Sequence, residues 1–325
     1  MTKQEGGGPG ATETGKRIPD LAVIIPARNE ASGLGGCLSS VRQALEFAEL
    51  TDAEVIVVDD DSTDETSDVA RAYGALALRQ SPRLGPLGAW SLGVANSSAS
   101  FLFFVDADSR VDEEAFSALL RGFARPTVGV IAARGEPDSG RTVKSLVERS
   151  ASFSALLLHE TKSRLVNHDF LPIGRLMAVR RAAWQEGDHR LPCDRVVASR
   201  AKQAGWEIIY APEAVVYYRP LGTYDELRSD YVRTQVAQPI LASGWSEPLP
   251  RGVVGRAAAA SLRRQPLSAA AWLALRVRLW SERSRGLIRP DEVYARWDRL
   301  PDGSPRPSRL GHSYQTPEEQ TGIRE

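Results

Sequence analysis

The sequence is poor in the residues that build metal scaffolds and disulfide frameworks. Among 325 residues there are two cysteines, Cys37 and Cys193, and four histidines. Structural zinc sites gather several such ligands, and disulfide-stapled domains are far richer in cysteine. We therefore expect a protein that folds on its own hydrophobic core in a reducing compartment.

Long apolar runs and a dominant charge are also missing. No stretch of about 20 apolar residues occurs, so we expect no transmembrane helix. Residues 1–18 are glycine-rich and polar, which predicts a disordered leader rather than a signal peptide. Acidic and basic residues number 41 each, and this balance indicates no nucleic-acid partner. These features favour a cytoplasmic protein.

Two common phosphate-binding motifs are absent. No G-x-G-x-x-G follows the first predicted strand, and no glycine-rich Lys-Ser/Thr loop occurs anywhere. The backbone cradles that hold dinucleotides and nucleotide phosphates in many α/β proteins are therefore excluded. We expect any bound phosphate to be held by a metal ion and by side chains.

What is present is an alternation of short apolar runs with helix-period segments. The runs predict buried strands, and their alternation with helices predicts a parallel, doubly wound α/β sheet. In the first part the predicted strands are 21–26, 54–58, 75–78, 101–105 and 128–132, and the helices are 34–48, a segment ending at 72, 89–96 and 113–123. The less regular second part predicts helices over 143–163, 196–204 and 223–242, and strands over 175–179, 206–210 and 214–218.

Two carboxylates end the most apolar strand, Phe101–Val105. Asp106 and Asp108 lie about 6.6 Å apart if the chain is extended, on the side where open α/β sheets bind ligands. This spacing suits one carboxylate on Mg²⁺ or Mn²⁺ and the other on a neighbouring hydroxyl or water, and such ions usually arrive with substrate phosphates. A turn followed by a helix start, with Ser109 and Asp112 near the N-cap, is the alternative.

Consecutive carboxylates also follow the strand 54–58. Asp59, Asp60 and Asp61 repel one another unless something positive or donor-rich lies beside them. Capping of the next helix by Ser62 or Thr63, with Glu65, explains the residues that follow. It leaves Asp59 and Asp60 unexplained.

Together these patterns resemble the family 2 glycosyltransferases, the large GT-A group that uses nucleotide sugars. The matching segments are VIIPARNE at 23–30, VVDDDSTD at 57–64, DAD at 106–108, CDR at 193–195 before AKQAGW at 201–206, and APEAVVY at 211–217. The resemblance covers roughly residues 20–240. It implies a GT-A fold, with a Rossmann-like, mostly parallel sheet flanked by helices.

The resemblance also implies an activity of the hexosyltransferase type. One sugar would move from a nucleotide-diphosphate sugar, UDP-linked by preference, to a hydroxyl of a small molecule, a glycan or a lipid-linked sugar. The residues implied to hold the base and ribose are Pro26, Arg28, Glu30, Asp60 and Asp106.

The remaining implied roles concern the metal and the acceptor. Asp108, with Asp106, would hold Mn²⁺ or Mg²⁺ on the diphosphate. Asp194 would be the general base that takes the acceptor's proton, in a single displacement that inverts the anomeric centre. The alternative for Asp194 is a helix N-cap, which is compatible with the first role. Arg175 and Arg195 are candidate acceptor contacts.

Several positions depart from the family pattern. Cys193 precedes the candidate base where relatives carry an acid. Pro86 replaces a usual lysine, and Ser91 replaces an asparagine. Tyr218 stands where some relatives have histidine, and Arg83 is a candidate source of the missing charge. The Gln-x-x-Arg-Trp signature of processive synthases is absent, which favours transfer of a single sugar.

We predict four regions along the chain. They are the leader 1–18, a GT-A domain over 19–245 (nucleotide-sugar half 19–135, acceptor and catalytic half 136–245), a basic helical appendage over 246–299 and a flexible tail over 300–325. Between Arg251 and Arg289 only Glu282 opposes many arginines. This segment is expected either to pack on the domain or to lie at the inner face of an anionic membrane as a peripheral contact.

Other protein classes remain as alternatives. A catalytically inactive, nucleotide-sugar-binding scaffold is compatible with the same motifs. An Asp-x-Asp phosphatase of the haloacid dehalogenase type places its nucleophile after the first strand, where this chain has Pro26 and Arg28. A receiver-like signalling module uses clustered aspartates but is much shorter.

Overall fold

The fold is built on one mixed sheet. The structure is a computed structural model that describes residues 21–50, 52–138, 145–172, 174–185, 193–231 and 248–287. Eight strands follow the order β3-β2-β1-β4-β7-β6-β8-β5. They are β1 Leu21–Ala27, β2 Glu54–Asp59, β3 Leu76–Arg79, β4 Phe101–Val105, β5 Ser109–Val111, β6 Val128–Pro137, β7 Leu176–Arg180 and β8 Glu207–Tyr218.

Helices cover both faces of this sheet. They are α1 Leu34–Phe47, α2 Thr66–Ala72, α3 Pro86–Ala95, α4 Ala115–Gly122, α5 Leu146–Lys162, α6 Cys193–Gln203, α7 Tyr224–Tyr231, α8 Val253–Arg264 and α9 Pro266–Ser284, with a short 3₁₀ turn at Arg181–Ala183. The predicted leader, the tail from 300 and most of the predicted helix over 223–242 lie outside the described residues.

The first half forms the expected parallel arrangement. β3, β2, β1 and β4 pair in parallel. Successive β1 residues enter opposite cores: Val23 and Ile25 pack on one face, Ala22 and Ile24 on the other. A strand buried on both faces needs apolar residues at every position, which is why β1 and β4 are visible in the sequence.

The second half departs from the prediction. β7 is antiparallel to both β4 and β6, while β6 and β8 are parallel. The segments predicted as separate strands over 206–210 and 214–218 form the single strand β8, with a register shift opposite Ala133 and Arg134. Ser109 belongs to the short strand β5, which pairs with β8, rather than to a helix start.

The predicted capping of α2 is also wrong. The helix begins after Glu65, whose side chain makes no capping hydrogen bond. Ser62 Oγ instead accepts the Asn29 N–H at 3.0 Å, and Asp64 accepts the Ala31 N–H at 3.1 Å. The polar residues before α2 are used to tie two loops together.

The C-terminal helices pack on the main domain. Leu275 and Leu279 of α9 join Val147 of α5 and Leu227 of α7 in one apolar cluster. Arg264 of α8 donates to a Glu160 side-chain oxygen at 2.6 Å. Within the described ranges no helix is both long and apolar enough to span a bilayer. The domain boundaries proposed above stay predictions.

Candidate active site

The candidate site lies at the edge where β1, β2 and β4 end. Because these strands are parallel, the loops that follow them emerge at the same end of the sheet, beyond the carboxyl ends of the strands. Asp60 N–H donates to the Ala27 carbonyl at 2.9 Å, which continues the β1–β2 pairing into the loops. The candidate site residues predicted in the first half of the chain therefore lie together at the carboxyl ends of these strands.

The loop after β1 is fixed to the loop after β2. Asn29 has a positive φ of 55°, and its Oδ1 accepts the Thr63 N–H at 2.8 Å. Glu30 N–H donates to Thr66 Oγ1 at 2.9 Å. The half-buried Arg28 has a buried Nε with no hydrogen-bond partner among the described residues. A buried donor of this kind suits an oxygen of a ligand.

Asp59 has a donor-rich environment. Its carboxylate accepts the Ser62 N–H at 2.8 Å, contacts Arg79 at 3.3 Å and accepts the Ser67 hydroxyl. Burial raises its pKa, but the bonds from both serines and the Arg79 charge outweigh that effect and hold the pKa below its usual value. The repulsion expected from the sequence is offset by these donors.

Asp60 is also buried and has more partners. Its two carboxylate oxygens accept from Gln80 Nε2 at 2.6 Å, Leu84 N–H at 2.9 Å, Gly85 N–H at 2.9 Å and Arg83 Nε at 3.4 Å. Asp60 therefore holds the loop 80–85 in place. Its contact with a base or ribose stays a prediction.

The carboxylates after β4 have a different partner. Arg175 Nη1 lies 2.7 and 2.9 Å from the two Asp108 oxygens and 3.5 Å from Asp106 Oδ2. The Asp106 N–H donates to the Arg175 carbonyl at 3.1 Å, which fixes the two backbones across the strand pair. The Asp106 and Asp108 side chains remain 41% and 44% exposed.

Charges around this pair reinforce one another. Burial lowers the pKa of Arg175, but Asp108 and Asp106 raise it more, so the net shift is upward. The pKa of Glu30 is raised by burial and then by the Asp108 and Asp64 charges. Glu30 therefore belongs electrostatically to the same site.

The donor set fits a hard divalent cation. Mg²⁺ and Mn²⁺ are commonly held by one or two carboxylates together with phosphate oxygens and water. In the structure the Arg175 guanidinium contacts Asp106 and Asp108 as a stand-in cation. No cluster of three or more acidic, His or Cys side chains suited to a metal occurs in the described part of the chain. A cation here would depend on oxygens from the substrate.

Asp194 lies in the first turn of α6, in a partly exposed position. Its carboxylate accepts the Arg195 N–H at 2.8 Å. Burial of the carboxylate raises its pKa, against the opposing effects of the Arg195 N–H, the Lys162 charge and the Gly174 N–H. Gly174 directly precedes Arg175, so this segment contacts both the candidate base and the candidate metal ligands.

Lys162 is a neighbour of Asp194 that sequence reasoning missed. It is fully buried at the end of α5, with Nζ 3.4 Å from the Ala133 carbonyl. Burial lowers the pKa of Lys162 to about 7, against the raising effect of Asp194. The available signal was helical periodicity, since Lys162 lies two turns after the buried Ala155.

The two candidate acceptor contacts lie in different places. Arg175 is engaged with Asp108 and stacks over the Tyr218 ring, with Cζ 4.6 Å from the centroid. Arg195 lies over Phe170, with Cζ 5.9 Å from that ring centroid. Tyr218, the residue found where some relatives have histidine, therefore contacts the guanidinium with its ring.

Comparisons with known proteins show which family the chain is similar to. The family model described as glycosyl transferase family 2 matches residues 22–187. A 4,4'-diaponeurosporenoate glycosyltransferase of Staphylococcus haemolyticus is 34% identical over 118 residues, which are 34% of this chain and 30% of that protein. The enzyme of the same name from Staphylococcus aureus is 39% identical over 93 residues, 27% of this chain and 24% of its own length. The matched segments thus span less than a third of the length of these relatives.

A solved structure extends the likeness to most of the fold. The mannosyltransferase PcManGT from Pyrobaculum calidifontis, in complex with GDP-Man and Mn²⁺, superposes with a TM-score of 0.55 at 20% identity. The match covers 86% of this chain and 84% of that chain. The GT-A fold expected from the sequence is confirmed, as a mixed rather than a mostly parallel sheet.

Proposed function

Since this chain belongs to glycosyl transferase family 2, we propose that it transfers one sugar from a nucleotide-diphosphate sugar to an acceptor hydroxyl. The main support is the segment 174–175, which touches both the Asp108 carboxylate and Asp194. A donor held at Asp108 and a base at Asp194 would then act at neighbouring positions. We propose a UDP-linked donor, with GDP as the comparison because PcManGT carries GDP-Man.

The donor half is proposed to work through side chains rather than a backbone cradle. Pro26, Arg28 and Glu30 would line the base and ribose, with the buried Arg28 Nε donating to a ligand oxygen. Asp106 and Asp108 would hold Mn²⁺ or Mg²⁺, which when bound offsets the negative charge that grows on the departing nucleotide diphosphate.

The acceptor half is proposed to depend on Asp194. A sugar hydroxyl is a weak nucleophile until a positioned base removes its proton during attack. The raised pKa of Asp194 makes its carboxylate a stronger base than an ordinary aspartate. One base opposite the leaving group implies a single displacement with inversion, and Arg195 is proposed to contact the acceptor.

The substitution Asp194→Asn tests this role. Asparagine caps a helix about as well as aspartate but cannot accept the proton. We expect turnover to fall by about 10²–10⁴-fold with unchanged affinity for UDP and Mn²⁺. Unchanged turnover would assign Asp194 to capping alone, and a product that retains the donor's anomeric configuration would exclude the single displacement.

A catalytically inactive scaffold is the second candidate. The burial of Lys162 next to Asp194 favours it, because such a pair can serve structure alone. Release of free UDP from UDP-sugars, measured with and without sugar and lipid acceptors, separates the two. Nucleotide binding without any release would support the scaffold.

We also propose that the C-terminal helices contact an anionic membrane surface from the cytoplasmic side. On α9, Leu267, Leu273, Val277 and Trp280 are 73%, 58%, 55% and 66% exposed. Leu273, Val277 and Trp280 recur at helical spacing and so form one apolar stripe, while Leu267 lies on another side of the helix. Glu282 is the only acidic residue of α9, and its carboxylate accepts a hydrogen bond from the Tyr224 hydroxyl at 2.8 Å.

Arginines flank this stripe and give it a charge preference. Exposed residues near it include Arg278, Arg283 and Arg285, while Arg276 lies partly buried beside Trp272. An apolar face with an arginine rim matches the interfacial position of amphipathic helices. Attraction to anionic lipid is screened by salt, so the contact should be salt-sensitive.

Co-sedimentation with anionic vesicles tests this contact. Trp280→Ser should weaken binding by about tenfold, because the apolar area inserted is lost. Phe47→Ser is the matched control, since Phe47 is also exposed, at 51%, but lies on α1. No binding to anionic vesicles at low salt, or equal effects of the two substitutions, would contradict a membrane-facing α9.

A further inference from the structure

Arg175 has contacts that a simple acceptor-binding role does not explain. It immediately precedes β7, and its backbone is fixed opposite Asp106. Its guanidinium contacts both oxygens of Asp108 and one of Asp106, while the Tyr218 ring lies beneath it. The side chain is still 27% exposed, so it borders the solvent-facing side of the site.

We propose that Arg175 is an internal counter-ion that exchanges partners: it neutralises Asp106 and Asp108 before the donor binds, and moves to the donor's diphosphate when the carboxylates are taken by a divalent cation. This inference rests on the proposed function, because it assumes a nucleotide-diphosphate donor. It assigns Arg175 to the donor rather than to the acceptor.

Electrostatics favours an exchange of this kind. A guanidinium and a divalent cation on the same carboxylates repel each other. We therefore expect Arg175 to leave Asp108 when a cation binds there. The planar, forked guanidinium is well matched to phosphate oxygens, so the diphosphate offers it an equivalent partner.

The surroundings of Arg175 permit the movement. Its ion pair with Asp108 is partly solvated on both sides, and such pairs are weak enough to exchange. Tyr218 contributes a flat ring that attracts a cation without fixing it to one hydrogen-bond geometry. The ring can support the guanidinium in more than one position.

The exchange predicts opposite effects on two affinities. In Arg175→Gln the competitor for Asp108 is lost, so Mn²⁺ alone should bind about fivefold more tightly. The phosphate partner is lost as well, so UDP in the presence of Mn²⁺ should bind about tenfold more weakly. Electron paramagnetic resonance of free Mn²⁺ measures the first affinity, and calorimetry with UDP measures the second.

Arg110→Gln provides a matched control. Arg110 also combines an ion pair with a ring contact, 3.3 Å from Asp138 and 4.4 Å from the centroid of Tyr217. No bond from Arg110 to Asp106 or Asp108 occurs among the described contacts. We expect both affinities of this variant to match the wild type.

Arg175→Lys separates the two parts of the proposal. Lysine keeps the positive charge that competes for Asp108 but lacks the bidentate fork. We expect near wild-type Mn²⁺ affinity with weakened UDP binding. This conservative variant also serves if Arg175→Gln does not fold, as judged by circular dichroism and thermal unfolding.

The outcomes distinguish this inference from the proposed function. If wild-type protein binds no nucleotide with or without Mn²⁺, the proposed function itself fails. If the wild type binds UDP with Mn²⁺ but Arg175→Gln shows no gain in Mn²⁺ affinity, or loses both affinities together, Arg175 is a fixed structural partner. Either of these last results overturns the exchange alone.

Discussion

The carboxylates that follow β2 and those that follow β4 lie on the same sheet edge but differ in their surroundings. Asp59 and Asp60 are almost fully buried and bonded to backbone N–H groups, serines, Gln80 and arginines. Asp106 and Asp108 are 41% and 44% exposed, and both contact the side chain of Arg175. The first pair is suited to holding loops, and the second to binding ligands.

This comparison shows that residue type and place in the fold do not by themselves assign a role. All of these aspartates end buried strands and match family motifs. What separates them is the number of donors supplied by the protein, because a carboxylate saturated internally has little capacity left for a ligand. Substitutions on the two strands should therefore affect different quantities.

The largest effect is expected for Asp60→Asn. The amide cannot replace the carboxylate toward both Leu84 N–H and Gly85 N–H, so at least one buried donor loses its acceptor. We expect the free energy of unfolding to fall by about 3 kcal/mol, measured by urea denaturation. UDP affinity should also drop, with its metal dependence intact. A fall of less than about 0.5 kcal/mol would remove the structural role.

Asp108→Asn should reduce ligand affinity strongly and stability very little, which is the reverse of Asp60→Asn. Loss of an outer-shell partner usually costs about 10–100-fold in metal affinity, so loss of a direct ligand should weaken Mn²⁺-dependent UDP binding by about 100-fold or more. Stability should stay within about 0.5 kcal/mol, since the side chain is partly exposed. UDP affinity that is undiminished in EDTA, for the wild type, would contradict the metal role of this pair.

Asp59→Asn gives the smallest effect, and it depends on pH. Burial raises the pKa of Asp59, but the serine bonds and Arg79 leave it below 3.8, its unshifted value. A carboxylate with a depressed pKa stabilises the folded protein at pH values above its pKa in the unfolded chain. This stabilisation is lost as the pH falls through its pKa in the folded protein. The variant should therefore be less stable at neutral pH by about 1 kcal/mol and lose less stability on acidification. Parallel pH profiles for variant and wild type would show that Asp59 is not stabilised by these donors.

The sequence predicted best what depends on local composition. β1, β2 and β4 are continuous apolar runs, and Asp106 and Asp108 follow the last of them directly. β5 was missed because three residues with alternating burial resemble a helix start, and their strand state depends on pairing with β8. A division of β8 into two strands was predicted because Pro212 and Glu213 interrupt its apolar pattern.

Contacts between residues that are far apart in the sequence could not be predicted from it. Arg175 reaches Asp108 across 67 residues of chain, and no local pattern specifies that pairing. Lys162 lies close enough to Asp194 for their charges to affect each other's pKa, although they belong to different helices. The donors around Asp60 come from a loop whose own sequence indicates only a turn.

The antiparallel direction of β7 also determines which loops lie at the candidate site. Because β7 runs antiparallel to β4, the residues that precede it emerge beside the residues that follow β4. In a parallel orientation the same loop would begin at the opposite edge, about 17 Å away for a strand of five residues. Reversal of a single strand thus lets one end of the sheet collect loops from both halves of the sequence, so that insertions directly before β7 would alter the chemistry of the candidate site.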